Sequence, residues 1–259
     1  MDTSKKKPII IALANQKGGV GKTTTAVNVA AELARLGLRV VLVDLDSQAN
    51  ATQALGIDPL AVPFTTYHLL VGDVPVADIL IDTAYGLQLI PSHIDVAAAE
   101  GELDRKVNRE QRLARRLSEL PAGVDVVLID CPPSLTLLTL NALTAAQWVL
   151  LPLQTEPFAV SGLAALLRTV ELVQRETNPG LRLLGILFTL YDKDHAVARN
   201  IAEGITASFG PRVFTTAIPR YGQLAETAQG GPIRSYAPHH KAVPLFAAVA
   251  QEVRTRADF

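Results

Sequence analysis

The sequence predicts a single α/β domain, with a mostly parallel, twisted sheet flanked by helices on both faces. Three observations carry that expectation. Apolar runs of strand length recur with amphipathic stretches between them, the pattern of parallel strands covered by helices on both sides. The 259 residues are 49% hydrophobic, enough to bury one self-sufficient core. The first apolar run also leads into a glycine-rich turn followed at once by a helical pattern.

In order along the chain, strands are expected at Ile9 to Ala14, Arg39 to Asp44, Leu87 to Ile90, Val124 to Asp130, Trp148 to Pro152, Leu181 to Thr189 and Arg212 to Thr215. Helices are expected at Lys22 to Leu36, Ile94 to Leu103, Arg109 to Glu119, Leu135 to Ala146, Val160 to Glu176, Ala196 to Phe209, Gly222 to Gln229 and Lys241 to Thr255. Gly37 and the Asn178-Pro179-Gly180 cluster supply stop signals after the first and fifth helices. Between Ala49 and Ser92 Gly56, Pro59, Pro63, Gly72, Pro75 and Gly86 interrupt the pattern, so this is expected to be the least regular part and mobile. Residues 1–8 read as a flexible lead-in and 9–259 as the domain, with no repeat or Pro/Ser-rich linker.

Charge and composition exclude several classes. Lys plus Arg number 24 against 25 Asp plus Glu, so the chain is not a polycation that coats nucleic acid by bulk attraction, and any such contact must be local. One cysteine, Cys131, rules out an internal disulfide framework or a cysteine-only metal site. It reads as a small buried filler. No apolar run approaches the ~20 residues that cross a bilayer, and Ile9 to Ala14 is too short and wrongly flanked for a signal peptide. A cytoplasmic location is expected.

The chemistry is concentrated after the first strand, in Gln16-Lys17-Gly18-Gly19-Val20-Gly21-Lys22-Thr23-Thr24. Three glycines let successive N–H groups turn inward, and the helix that follows adds its partial positive end, so an anion can be held by dipoles. Lys22 is placed to meet β- and γ-phosphates and the Thr23 hydroxyl to ligate magnesium. The expected fold is therefore P-loop NTPase-like. The usual pattern G-x-x-x-x-G-K-[ST] would need glycine at Gln16, and this variant carries a second lysine, Lys17, instead. A dinucleotide fingerprint does not fit, since it has no lysine at the phosphate. Asp44 and Asp46 stand at and beyond the end of the second expected strand and Asp130 at the end of the fourth. Carboxylates at the strand ends of an open parallel sheet converge on its crevice, where they can face one magnesium.

These residues resemble the deviant Walker A ATPases, and within them the ParA/Soj partition proteins. The likeness rests on Lys17 to Thr24, Val43-Asp44-Leu45-Asp46, Ile129-Asp130-Cys131-Pro132-Pro133-Ser134, Thr139 to Leu143 and Ile218-Pro219-Arg220, and extends from about Ile9 to Val253. It implies ATP and Mg2+ as cofactors, weak ATP hydrolysis stimulated by DNA and a partner, and a homodimer that closes on ATP. In that dimer Lys17 reaches the partner subunit's phosphates, so Lys17, Lys22 and Asp46 are the expected catalytic set. Asp46 orients water, Asp44 lies nearer the metal with Thr23, and Asp130 acts through water. The nucleotide is held by Lys17, Gly18, Gly19, Val20, Gly21, Lys22, Thr23 and Thr24, with Pro219 against the adenine. Departures from the family pattern are Ser47 and Ala49 in the switch loop, Thr136, and Tyr221 after Arg220.

The resemblance further implies non-specific DNA binding, a ParB-like activating partner and residence on the nucleoid. Residues 181–259 hold 9 Lys/Arg and 6 Asp/Glu, whereas residues 1–180 hold 15 and 19, so the basic surface is expected in the C-terminal third, with Lys193, Arg199, Arg220, Arg234 and Lys241 as DNA contacts. A dimer doubles such a surface. His239 and His240 read as surface residues, because no third metal ligand is evident. The alternatives are a MinD-like regulator on membranes, a positioner of a protein cargo such as a carboxysome or chemoreceptor cluster, and a metallocluster carrier or ligase on the same scaffold. The helix from Ala242 to Val253 is expected to pack on the sheet rather than on lipid.

Overall fold

The computed structural model describes residues 7–259, so the flexible lead-in expected over residues 1–8 falls almost wholly outside the described residues. The first half of the chain forms β1 (Ile9–Leu13), α1 (Lys22–Arg35), β2 (Val40–Asp44), α2 (Asn50–Ala54), α3 (Thr66–Leu70), α4 (Val76–Ile79), β3 (Ile81–Asp82), β4 (Gln88–Ile90) and α5 (Val96–Leu103). The second half forms α6 (Arg112–Leu117), β5 (Val126–Asp130), α7 (Leu137–Ala145), β6 (Trp148–Gln154), α8 (Ala159–Glu176), β7 (Arg182–Thr189), α9 (Ala196–Phe209), α10 (Thr227–Gly230), α11 (Ile233–Tyr236) and α12 (Ala242–Ala257).

The strands form one sheet in the order β3-β4-β2-β5-β1-β6-β7. All neighbours are parallel except β3 and β4 at the edge. Every residue of β2 and β5 is buried, which is why these strands read as unbroken Val/Ile/Leu runs rather than alternating ones. Successive side chains still go to opposite cores: Ile10, Ala12, Val41, Val43, Val127 and Ile129 to one, Ile11, Leu13, Val40, Leu42, Val126 and Leu128 to the other. The chain leaves β1 toward β2 on one side and later places β6 on the other, so the strand order reverses at β1. A ligand crevice opens at the carboxyl ends of strands around such a point.

Three expectations change. Arg212 to Thr215 is not a strand: Gly210–Arg212 is a 3-10 turn, Val213 makes a single bridge to Ile186, and the Thr215 N–H is taken by the Glu252 carboxylate, so no ladder can extend. The helix expected from Gly222 is a 3-10 turn over Gly222–Glu226 that continues into α10. The Ala49 to Ser92 segment folds into three short helices and two strands. Side-chain bonds to the backbone replace periodic apolar contacts there: the Thr66 hydroxyl donates to the Asp44 and Pro91 carbonyls, and Thr65 with His68 forms a reciprocal cap on α3. The apolar face of α12, with Val243, Phe246, Val249 and Val253, is buried in the core it shares with α1.

Candidate active site

The loop from Gln16 to Gly21 joins the end of β1 to the start of α1. Gly19 and Gly21 have φ of 72° and 81°, the left-handed region that other residues enter only at a cost, so these two glycines allow the turn. The loop is held from both sides. The Thr189 hydroxyl, at the end of β7, donates to the Val20 carbonyl at 2.7 Å. Asn15 accepts from the Lys17 N–H and donates to the Pro152 carbonyl. Neither anchor was among the expected site residues. Thr189 could have been found from its place at a strand end, where ligand crevices form.

Lys22 opens α1 and is buried. Its Nζ donates to the Lys17 carbonyl at 3.2 Å. Burial lowers its pKa, opposed by the nearby Asp130, Cys131 and Asp46. Asp44 and Asp130 are register partners on adjacent strands, and both are buried, but their surroundings differ. Asp44 accepts from the Asp46 N–H, the Thr52 N–H and the Thr52 hydroxyl. Burial outweighs these bonds and pushes its carboxyl up to about 6. Neither oxygen of Asp130 has a hydrogen-bond partner among the described residues. Burial and then the Asp44 charge raise its carboxyl to about 8, against the pull of Thr23 and Lys22 nearby.

An orphaned buried carboxylate calls for a compensating cation. Together with the Thr23 hydroxyl it offers the hard oxygen donors that suit magnesium, which keeps most of its coordination for water and phosphate. The residues therefore fit the ion. Of the two strand-end acids, Asp44 holds the loop after β2 through its hydrogen bonds, and Asp130 is the unsatisfied group. Among the described residues no cluster of three or more His, Cys, Asp or Glu side chains could hold a resident metal alone.

Asp46 is held by its own loop. Its Oδ1 accepts from the Gln48 N–H, its carbonyl accepts from the Ser92 hydroxyl, and the Ser92 N–H in turn donates to Thr52. No hydrogen bond among the described residues uses Oδ2. Ala49, where the family often has glycine, is buried with φ 52°. Ala49→Gly should change stability by less than about 1 kcal/mol, because relief of left-handed strain, about 1 to 2 kcal/mol, is offset by the chain entropy that glycine adds, roughly 0.5 to 1 kcal/mol, and by loss of a buried methyl, about 0.8 kcal/mol. Urea unfolding of the two proteins would measure it.

A cavity of about 670 Å³ joins these parts, a volume suited to a nucleotide. Its polar end is formed by Gly18, Gly19, Gly21, Lys22, Thr23, Thr24, Thr25 and Asp46, and its apolar wall by Ile218, Tyr221, Leu224 and Phe246; Val20, also expected at the nucleotide, lines a neighbouring cavity. Pro219, expected against adenine, bridges through its backbone to Tyr191, and its neighbours Ile218 and Arg220 line the cavity. Cys131 is buried, and burial pushes its thiol up, in keeping with a filler.

The second lysine lies outside the cradle. Lys17 is exposed and paired with Glu156, which also accepts from Gln154 and lies 3.8 Å from Arg220. The five basic residues expected to meet DNA all lie between β7 and the start of α12. Lys193 and Arg199 are exposed and joined by a bond from the Arg199 guanidinium to the Lys193 carbonyl. Arg220 lies near them, because Tyr191 pairs with the Ile218 carbonyl. Lys241 is exposed beside His240, whose ring meets Tyr221 edge-on. Arg234 is bound through two nitrogens to the Glu32 carboxylate of α1.

A glycine-rich phosphate cradle on a parallel sheet, with a lysine at the head of its helix and acids at the neighbouring strand ends, defines a P-loop nucleotide hydrolase of the deviant two-lysine class. Residues 8–183 match the family model of an AAA domain. The chain is 45% identical over 246 residues to the sporulation initiation inhibitor protein Soj of Bacillus subtilis, covering 94% of this chain and 97% of that one. It is 47% identical over 247 residues to the chromosome-partitioning ATPase Soj of Thermus thermophilus, covering 95% of each. Among solved structures it is similar to a cobyrinic acid a,c-diamide synthase from Mycobacterium smegmatis with a bound ATP analogue and magnesium, at 40% identity and a TM-score of 0.83 over 94% of this chain and 93% of that one. The chain belongs to the Soj/ParA family of chromosome-partitioning ATPases.

Proposed function

We propose that this chain is an ATP-switched partition ATPase: two copies close face to face on ATP and magnesium, sit on DNA without sequence preference, and separate when a ParB-like partner stimulates hydrolysis. The observation that carries this reading is the division of labour between two lysines. Lys22 is buried inside the cradle, while Lys17 stands exposed outside it on a surface ion pair with Glu156, a partner it can exchange for a neighbouring subunit's phosphate. A cation delivered across an interface couples phosphate chemistry to pairing, as an arginine finger does.

In this reading the N–H groups from Gly18 to Thr24 bind the β- and γ-phosphates, Lys22 neutralises them, and the wall of Ile218, Tyr221 and Leu224 receives the base. Thr23 would hold magnesium, with Asp130 close behind; the ion supplies charge neutralisation at the phosphates. Asp46 positions the attacking water, while Asp44, through Thr52, fixes the loop that carries Asp46. Lys193, Arg199, Arg220 and Lys241 serve as DNA contacts. Arg234, already paired with Glu32, is set aside.

Two alternatives lose ground on specific observations. A MinD-like membrane helix needs a free apolar face, and that of α12 is buried; no helix of the described residues is long and apolar enough to cross a membrane. An amide synthase that drew ammonia from glutamine through a cysteine thiolate would need an accessible thiol, and Cys131 is buried with its thiol pushed up.

The test is DNA binding with ATP, with ADP and without nucleotide across a salt series, with an anionic-vesicle arm. Binding should require ATP, weaken steeply with salt, and fall about tenfold or more in the double variant Lys193→Glu, Arg199→Glu. Binding that ignores the nucleotide, or that occurs on vesicles and not on DNA, would contradict the proposal. The working protein is expected on the nucleoid.

A further inference from the structure

The start of α8 combines two unfavourable features at one residue. Phe158 has φ 72°, a backbone region that a bulky side chain rarely occupies, and it is 88% exposed. Val160, one turn-half further on, is also exposed. Strain retained at a surface aromatic points to a role that the isolated chain does not fulfil.

The same patch contains a hole. A cavity of about 390 Å³ lies beside the phosphate loop, lined by Val20, Leu153, Pro157 and Ala159, rimmed by Phe158 itself, and carrying the Lys17–Glu156 ion pair. An apolar knob, an apolar hole and one charge of each sign thus share a single surface. That is the composition of an isologous interface, in which a two-fold axis lays a patch on its own copy and must match knob to hole and cation to anion. An aromatic anchor ringed by polar groups is also the usual anatomy of an energetic centre.

We propose that Phe158 is the apolar anchor by which a second copy of this chain docks, its ring entering the partner subunit's cavity next to the phosphate loop. The seated ring lies against the Lys17–Glu156 pair, so the lysine assigned to act across the interface must exchange Glu156 for the partner subunit's phosphate as the subunits close. This rests on the nucleotide-dependent pairing proposed above and names the surface that performs it.

Sedimentation velocity over a concentration series, with a non-hydrolysable ATP analogue and magnesium, tests it. Wild type should pass from monomer to dimer; a wild type that stays monomeric overturns the pairing itself and this inference with it. Where wild type pairs, Phe158→Glu should raise the dimer Kd about 50-fold or more, while analogue binding to the monomer, followed by equilibrium dialysis, stays within about twofold. Phe158→Trp should restore pairing to within about fivefold. Phe158→Gly separates interface from fold: it relaxes the left-handed turn, so Tm should rise while the dimer weakens about tenfold or more. Dimerisation of Phe158→Glu or Phe158→Gly within about threefold of wild type would overturn the inference and leave pairing by another surface.

Discussion

Asp46→Ala should reduce ATP hydrolysis by about 10² to 10⁴-fold, the usual range for loss of a group that positions or deprotonates a nucleophile, while ATP binding stays within a few-fold of wild type. The separation follows from geometry. Asp46 lines the cavity with the phosphate loop, yet its bonds among the described residues hold the loop after β2 and not the cradle: Oδ1 accepts from the Gln48 N–H, the carbonyl accepts from Ser92 and Ala49, and its N–H donates to Asp44. The cradle is built from other parts, the glycines, Lys22 and the Thr189 and Asn15 anchors, so it survives the substitution. Deleting a carboxylate near triphosphate oxygens also removes a repulsion. Phosphate release under saturating ATP, set beside equilibrium binding, measures both quantities. Hydrolysis within about threefold of wild type would show that water is positioned by another group. Asp46→Asn should be nearly as slow as Asp46→Ala, because an amide can orient water but cannot take its proton.

The phosphate loop was legible because its chemistry is local: a strand, three glycines, a lysine and two threonines lie in one short stretch, and their order alone dictates an anion cradle. The parallel sheet was legible for a similar reason, since strands buried on both faces leave unbroken apolar runs. What could not be read was whatever depends on partners brought together by folding. Glu32 and Arg234 meet from positions 202 residues apart, a tie between α1 and α11 that no local pattern announces. Thr52, Thr66 and Ser92 come from the stretch that looked irregular, and their hydroxyls make sense only once the strand ending in Asp44 lies beside them. The expected strand at Arg212 failed likewise, because Glu252, on a later helix, captures its N–H. Asp44 and Asp130 were recognised as site carboxylates from their strand ends, but which was satisfied and which was orphaned depended on Thr52, eight residues away and across a turn.

That difference between the two acids makes stability depend on pH in a direction opposite to the usual acid-labile carboxylate. The ordinary value is 3.8 for both; burial moves Asp44 to about 6 and Asp130 to about 8. Between roughly pH 4 and pH 8 the folded protein therefore retains protons that the unfolded chain has released. With more protons bound in the native state, unfolding free energy falls as pH rises. In EDTA, the metal-free protein should lose stability on the order of a few kcal/mol between pH 5 and pH 8, at about 1.4 kcal/mol per unit of pKa displacement. Magnesium with ATP favours the ionised carboxylates, so its binding should release protons and strengthen as pH rises through 6 to 8, and the stabilisation it confers should be larger at pH 8 than at pH 5. Asp130→Asn identifies the source. The amide removes the buried charge that nothing satisfies, so the metal-free variant should be more stable than wild type at pH 8, its pH slope should flatten, and the added stability from magnesium and ATP should shrink. Urea unfolding at the two pH values, with and without magnesium and ATP, supplies all four comparisons. A wild-type protein whose metal-free stability rose from pH 5 to pH 8 would mean that Asp130 is ionised and satisfied in the empty site, and the case for it as the waiting partner of the metal would fail.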